Sequence, residues 1–392
     1  MEKYQRNINS YYISIFIEAI AIALPHAVLT ILLLKKGISL SDIMLIQSIY
    51  SLTIILCEYP SGLIADLFSK KKIFMMSRVF LILMFLLVIF GNNLTILMVA
   101  WIFYGIFSAL DSGTVDVAII NKLKQNGHEQ FISKFIGNYN RLNFIGLLIG
   151  SSIGSFLYFK IGLNFYFISI CFTVLSIIII GKFFEENKTN PKVKLKLKDS
   201  TNTLFEQVKE GFYELKSSYE LRLMIGLTFV GQFFFQAHFQ LWQGLFLSEG
   251  INKHHFYLFY IIFQIISVLA YSMPTKKIKQ KTFLFTTMFI LMTAALVGLH
   301  SKYLILFIGS YFILVFIFTV FDYLSNFLFS KKVSIQHISS LTSLKSTIGR
   351  IAAMISMLLS SILLNYMSAI NVVSLNFLIA IICSFVLYSA IC

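Results

Sequence analysis

The sequence predicts an all-α integral membrane protein: twelve transmembrane helices in two six-helix bundles, with both termini cytoplasmic. Three observations predict it. The chain is too apolar for a soluble domain, its apolar residues fall into twelve runs of spanning length, and its basic residues alternate in density from one break to the next.

Of 392 residues, 58% are hydrophobic and 12% charged, against roughly 25% charged in a soluble domain. Mean hydropathy is +0.82. Phe alone accounts for 41 residues, a load that a bilayer absorbs and a soluble core does not. The net charge of +15 sits in short breaks between apolar runs, which reads as topology and not as a nucleic-acid surface. The four cysteines, Cys57, Cys171, Cys383 and Cys392, form neither a zinc pattern nor a disulfide framework. The first apolar run exceeds a signal-peptide core, so no cleavable leader is expected.

A hydrocarbon core about 30 Å thick needs roughly 20 apolar residues per helix. That ruler places spans at 11–34, 43–65, 73–90, 94–115, 138–159 and 162–183, then at 223–247, 255–274, 282–299, 303–323, 347–366 and 370–391. The runs lack the period-two alternation of barrel strands. With the N-terminus inside, the outer breaks hold only Lys35, Lys36, Lys160, Lys253 and Lys302, and the other 27 of the 32 basic residues fall inside. The domains are therefore 1–183, a cytoplasmic linker 184–222, and 223–392. Within the linker, Leu204, Phe205, Val208, Phe212 and Leu215 at helical spacing predict an amphipathic helix on the membrane surface; a solvated tether is the plainer alternative. Two bundles joined by a basic loop can rock around a central site.

Between spans 2 and 3 the chain reads Glu58-Tyr-Pro60-Ser61-Gly62, then Leu-Ile-Ala-Asp66-Leu-Phe-Ser69-Lys70-Lys71-Lys72. This resembles the signature loop of the major facilitator superfamily, with a lead-in like that of bacterial drug-efflux proton antiporters. Ser69 stands where the family usually has Gly, and Lys70 where it usually has Arg. Lysine keeps the charge and loses the planar fork. The resemblance implies the superfamily fold and a gating role for Asp66, which helps hold the cytoplasmic side closed. Gly62 permits close helix approach, and Lys70 and Lys71 either take part in the gate or fix topology alone. In span 5, Gly146, Gly150 and Gly154, followed by Ser155, resemble the antiporter motif, with Ser151 in place of its Pro; tight helix packing is the other reading of the stripe. Asp111-Ser-Gly-Thr-Val-Asp116 resembles a further efflux-type stretch. The second-half counterpart of the loop, Met273-Pro274-Thr-Lys276-Lys277-Ile-Lys279-Gln-Lys281, keeps the positive charge and lacks the Asp.

Charged groups at span depth face a cavity or a partner. Glu18, about two turns into span 1, is the first candidate for a proton-coupling carboxylate; a static ion pair is the alternative. His26 relays protons or, more simply, hydrogen-bonds across helices. Glu58 and Asp111 are placed to pair with Arg78, Arg141 or the loop, and Asp111 joins the proton-coupling candidates. Asp116 and Arg141 lie nearer the interface, and Asp322 and Arg350 take the matching positions in the second half. Structural pairing is an alternative for each of these. In span 7, Gln232, Gln236, Gln240 and Gln243 share one helix face beside Trp242; four amides facing lipid are costly, so the face lines a substrate cavity or meets a partner helix.

There is no phosphate-binding Gly-rich loop, catalytic triad or metal-ligand spacing. No enzyme activity, cofactor or metal is expected. The reading is a monomeric secondary transporter of a bacterial cell membrane, exporting small amphipathic compounds against protons. A transporter of a specific nutrient, sugar or peptide is the alternative, followed by a non-transporting receptor or immunity protein.

Overall fold

A computed structural model describes residues 2–112, 114–186, 213, 215–216, 218–273, 281–333 and 338–390. The described residues are helical, with no strand among them. In chain order the helices are α1 (Glu2–Ala23), α2 (Leu29–Lys35), α3 (Leu40–Leu67), α4 (Lys70–Phe90), α5 (Leu94–Asp111), α6 (Val115–Gln125), α7 (Ile132–Ile161), α8 (Phe165–Phe183), α9 (Tyr219–Ser248), α10 (Phe256–Tyr271), α11 (Lys281–Gly298), α12 (Leu304–Lys332), α13 (Ile338–Leu363) and α14 (Ala369–Ser389). Eight helical segments among the described residues are long and apolar enough to cross a membrane. α1 and α9 fall outside that set: the first opens on polar turns and carries Glu18, and the second carries the glutamine stripe.

Within the described residues each expected span lies mostly on helix, and two are interrupted. Span 1 breaks over Leu24–Val28. Pro25 has no N–H to donate and crowds the preceding turn; local turn bonds such as His26 N to Ala23 O, 3.0 Å, replace the ladder. Span 4 breaks after Asp111, where Ser112 turns extended and the Thr114 hydroxyl caps the Asp111 carbonyl at 3.0 Å. Pro60, by contrast, sits inside the unbroken α3.

Two compact units form. The first comprises Met1–Ile38, Ile49–Leu197 and His254–Tyr260; the second comprises Ser39–Ser48, Lys198–Lys253 and Ile261–Cys392. The first turns of α3 and the first turn of α10 thus group away from their sequence neighbours. The expected linker also starts later than its composition suggests. Phe184 is 3% exposed and belongs to the first unit's core, with Tyr11, Phe74, Ile119, Phe135 and Ile180. The amphipathic stretch over 204–212 and the basic stretch over 274–280 lie outside the described residues.

In the first unit, α1 packs on α7 and α8, and α4 packs on α5 and α8. The glycine stripe of α7 makes the first of these contacts. A Cβ at Gly146 would stand 2.7 Å from Ala19 Cβ, and one at Gly150 2.6 Å from the Ile20 carbonyl. Gly154 meets the Leu24 backbone more closely still. Small residues let two backbones touch in this way. In the second unit, α9 packs on α12, α13 and α14. Phe234 is its centre, stacked between Phe318 and Phe377 at 4.1 Å on each side.

Candidate functional site: a buried carboxylate–guanidinium triad

Arg78 projects from α4 into the interior of the first unit and is fully buried. One arm, Nη2, pairs with Glu18 of α1. The other, Nη1, pairs with Asp111 at the end of α5. Nη1 also donates to Ser77 Oγ at 2.7 Å and Phe74 O at 3.4 Å. The Phe74 ring lies 3.3 Å beneath the guanidinium carbon, a cation–π contact. The planar fork is what allows one cation to hold two carboxylates from two helices.

The two carboxylates differ in surroundings. The Glu18 side chain is 2% exposed and that of Asp111 31% exposed. Two carboxylates face one guanidinium, so the triad carries a net charge of −1 when all three are ionised. Among the described residues, Glu18 Oε1 and Arg78 Nε are buried without a hydrogen-bond partner. A buried charge cluster that is unbalanced and incompletely bonded is costly. One proton on a carboxylate makes it neutral.

The expected site residues fall into three groups. Glu18, Arg78 and Asp111 come together. Arg78 was expected among the gate residues, yet it is the hub joining both carboxylates. Asp116, in the first turn of α6, has a buried Oδ1 without a hydrogen-bond partner among the described residues. Arg141 is exposed on α7, and Glu58 and His26 are half-buried on α3 and in the α1–α2 turn. Gly62 and Asp66 lie on α3, but their side chains fall outside the described residues. Lys70 and Lys71 open α4, where Lys71 Nζ donates to the carbonyls of Gly181 and Phe184, both at 2.8 Å.

In the second unit, Asp322 accepts from Asn326 Nδ2 at 2.8 Å, and Lys345 donates to Asn326 Oδ1. Lys345 also stands 4.3 Å over the Phe329 ring. This lysine escaped sequence reading because it looked like one more topology charge at the start of span 11. Arg350 lies further along the same helix, half-buried. Along α9, Gln236 donates to Gln232 at 3.0 Å, and Gln232, Gln236 and Gln240 are half-buried. Gln243 and Trp242 are buried at 3% and 4% exposure, with the Trp242 ring against Phe246 and Phe263. His238, also missed, is buried, with Nδ1 3.0 Å from the Tyr311 hydroxyl. Its signal was present as a lone histidine inside the glutamine-rich run.

Among the described residues no cluster of His, Cys, Asp or Glu is arranged to hold a metal. The fold and the buried triad define a helical membrane protein with charge held at span depth. The Major Facilitator Superfamily model matches residues 11–357, and the chain belongs to that family. It is a membrane transporter of that type.

Solved structures agree in fold. The nucleoside transporter NupG superposes with a TM-score of 0.71 at 14% identity, covering 98% of each chain. A bacterial homologue of the human lysosomal transporter Spinster, in its inward-facing unoccupied conformation, gives 0.72 at 10% identity, covering 99% of this chain and 96% of its own. The human organic anion transporter MFSD10 (TETRAN) gives 0.60 at 14% identity, covering 98% and 99%. No curated protein sequence matches the chain.

Proposed function

We propose that the protein is a proton-coupled exporter of small amphipathic compounds, acting as a monomer in a cell membrane with both termini cytoplasmic. The observation that supports this reading is the triad. Its net charge of −1, in a setting where Glu18 is 2% exposed, creates a demand for one proton. A carboxyl that is dry in one state and wet in another takes up and releases that proton over a cycle. Protonation of Glu18 frees one arm of Arg78 and leaves a neutral Arg78–Asp111 pair. Coupling then requires only that proton and substrate differ in affinity for the two states. Asp111, the more exposed carboxylate, is the proton's way in and out. The loop from Asp66 to Lys72 serves as the cytoplasmic clamp.

The amides of Gln232 and Gln236, half-buried and bonded to each other, favour a second reading: transport of a specific polar nutrient, the class to which nucleosides belong. The two readings separate in proteoliposomes under an imposed pH gradient. Export predicts ethidium movement against the proton gradient that Glu18→Gln abolishes. Labelled uridine uptake without ethidium movement would favour the nutrient reading. If Glu18→Gln left proton-driven flux of both probes intact, the triad would have no coupling role.

A further inference from the structure

The helix that carries Arg78 is fastened at both ends by groups outside it. α4 runs unbroken from Lys70 to Phe90. α1 stops at Ala23, five residues after Glu18, where a proline turn follows, and α5 stops at Asp111 itself.

At the N-terminus of α4, Ser69 is the N-cap, and its Oγ accepts from the Lys72 N–H at 3.2 Å. The same hydroxyl donates to the Glu186 carboxylate. Glu186 Oε1 accepts the Lys70 N–H at 2.9 Å. Two of the four N–H groups left open at a helix start are thereby satisfied, with a carboxylate at the positive end of the dipole. The attachment is reciprocal: Lys71 Nζ bonds the carbonyls of Gly181 and Phe184 at the C-terminal end of α8, where a cation is favoured. Glu185, the preceding residue, ties the same point to α1. Its backbone N–H donates to Asn7 Oδ1 at 3.0 Å, its carbonyl accepts from Asn7 Nδ2 at 2.8 Å, and its side chain pairs with Arg6.

At the far end of α4, Lys36 Nζ donates to Gly91 O at 2.7 Å, Asn92 Oδ1 at 3.2 Å and Ile89 O at 3.3 Å. Burial lowers the Lys36 ammonium below the usual lysine range. Both anchors use side chains from other helices or their exits, so α4 is restrained along its own axis.

We propose that Glu186, received by Ser69, is a positioning residue for Arg78. With Lys36 opposite, it fixes the height of α4 and so the place of the guanidinium between Glu18 and Asp111. Serine at position 69 is then a requirement of this chain, because glycine offers no hydroxyl to Glu186. The positioning role rests on the proton-coupling reading, but its test does not use transport.

The test is the melting temperature of the purified full-length protein in detergent. Glu186→Gln and Ser69→Ala each lower it by about 2–4 °C, the shift for loss of one such contact in a unit of this size, and the double variant falls no further than the worse single. Ser69→Thr, which keeps the hydroxyl, restores the wild-type value. The second cycle pairs Glu186→Gln with Arg78→Met, or with the milder Arg78→Lys should the first not fold. Distant independent sites add; here the loss caused at Arg78 shrinks by about a third in the Glu186→Gln background. Additive losses between Glu186 and Ser69 overturn the clasp, and additive losses between Glu186 and Arg78 overturn the positioning role. Neither result depends on whether ethidium or uridine moves, so failure of the transport reading is seen separately.

Discussion

Removing Arg78 and removing Glu18 should differ sharply in cost, although each breaks the same ion pair. Arg78→Met leaves two carboxylates near each other without their cation, one of them 2% exposed. Breaking a buried pair in this direction costs about 3–5 kcal/mol. Loss of the guanidinium's contact with the Phe74 ring, 3.3 Å away, adds about 0.5–2 kcal/mol. Asp111, with its side chain 31% exposed, is partly relieved by water and adds little. Glu18→Gln acts in the other direction. It turns a cluster of net charge −1 into a neutral Arg78–Asp111 pair and keeps an amide oxygen that can accept from Nη2. Its cost is the difference between a charged and a neutral hydrogen bond, about 1 kcal/mol. At about 2–4 °C per kcal/mol for a unit of this size, Arg78→Met lowers the melting temperature in detergent by roughly 7–28 °C and Glu18→Gln by about 2–4 °C. The double variant recovers part of the Arg78→Met loss, because the uncompensated buried charge is gone. Fluorescence-detected size-exclusion after stepwise heating reads all three. Equal losses for the two single variants, or a double variant no better than Arg78→Met, would refute the charge accounting.

Three further outcomes test the packing. Gly150→Ala places a methyl 2.6 Å from the Ile20 carbonyl, a backbone atom that cannot swing away; overpacking of this kind costs about 1–3 kcal/mol, and a melting temperature equal to wild type would show that α1 and α7 are not in tight contact there. Phe234→Ala empties the slot between Phe318 and Phe377, and a loss of about 3–5 kcal/mol should show as a markedly lower melting temperature, whereas Phe234→Leu costs much less. Asn93→Ala removes the cap that accepts the Ile96 N–H at 2.9 Å, so about 1 kcal/mol is lost; Asn93→Asp, which keeps the acceptor, leaves the melting temperature near wild type.

Membrane class and helix placement were legible because a bilayer imposes a length and an apolarity that any window along the chain reveals. Where the chain departs from those windows, local chemistry gives the reason. Pro25 interrupts span 1, and the Asp111–Thr114 stretch interrupts span 4. Both breaks stood in the sequence as Pro and as Ser-Gly-Thr, yet Pro60 stands inside an intact helix, so the residue type alone did not decide. The glycine spacing at 146, 150 and 154 announced a close helix contact, but not that α1 would fill it. Phe184, Glu185 and Glu186 read as the start of a solvated linker, since acidic residues beside Asn and Lys look like loop; only their partners Asn7, Arg6, Ser69 and Lys70 show that they belong to the folded unit.

A helical membrane protein follows from the residues alone, as does the choice of the few ionisable groups at span depth, because charge in an apolar run is conspicuous and expensive. The sequence singled out Glu18 with no partner named, and Asp111 with Arg78, Arg141 or the loop as partners. That all three meet in one cluster comes from the packing of the helices. Pairing across separations of 60 and 33 residues depends on which helices are neighbours and how each is turned about its axis. Those are set by the whole packing of α1, α4, α5, α7 and α8, and no local window of sequence contains them.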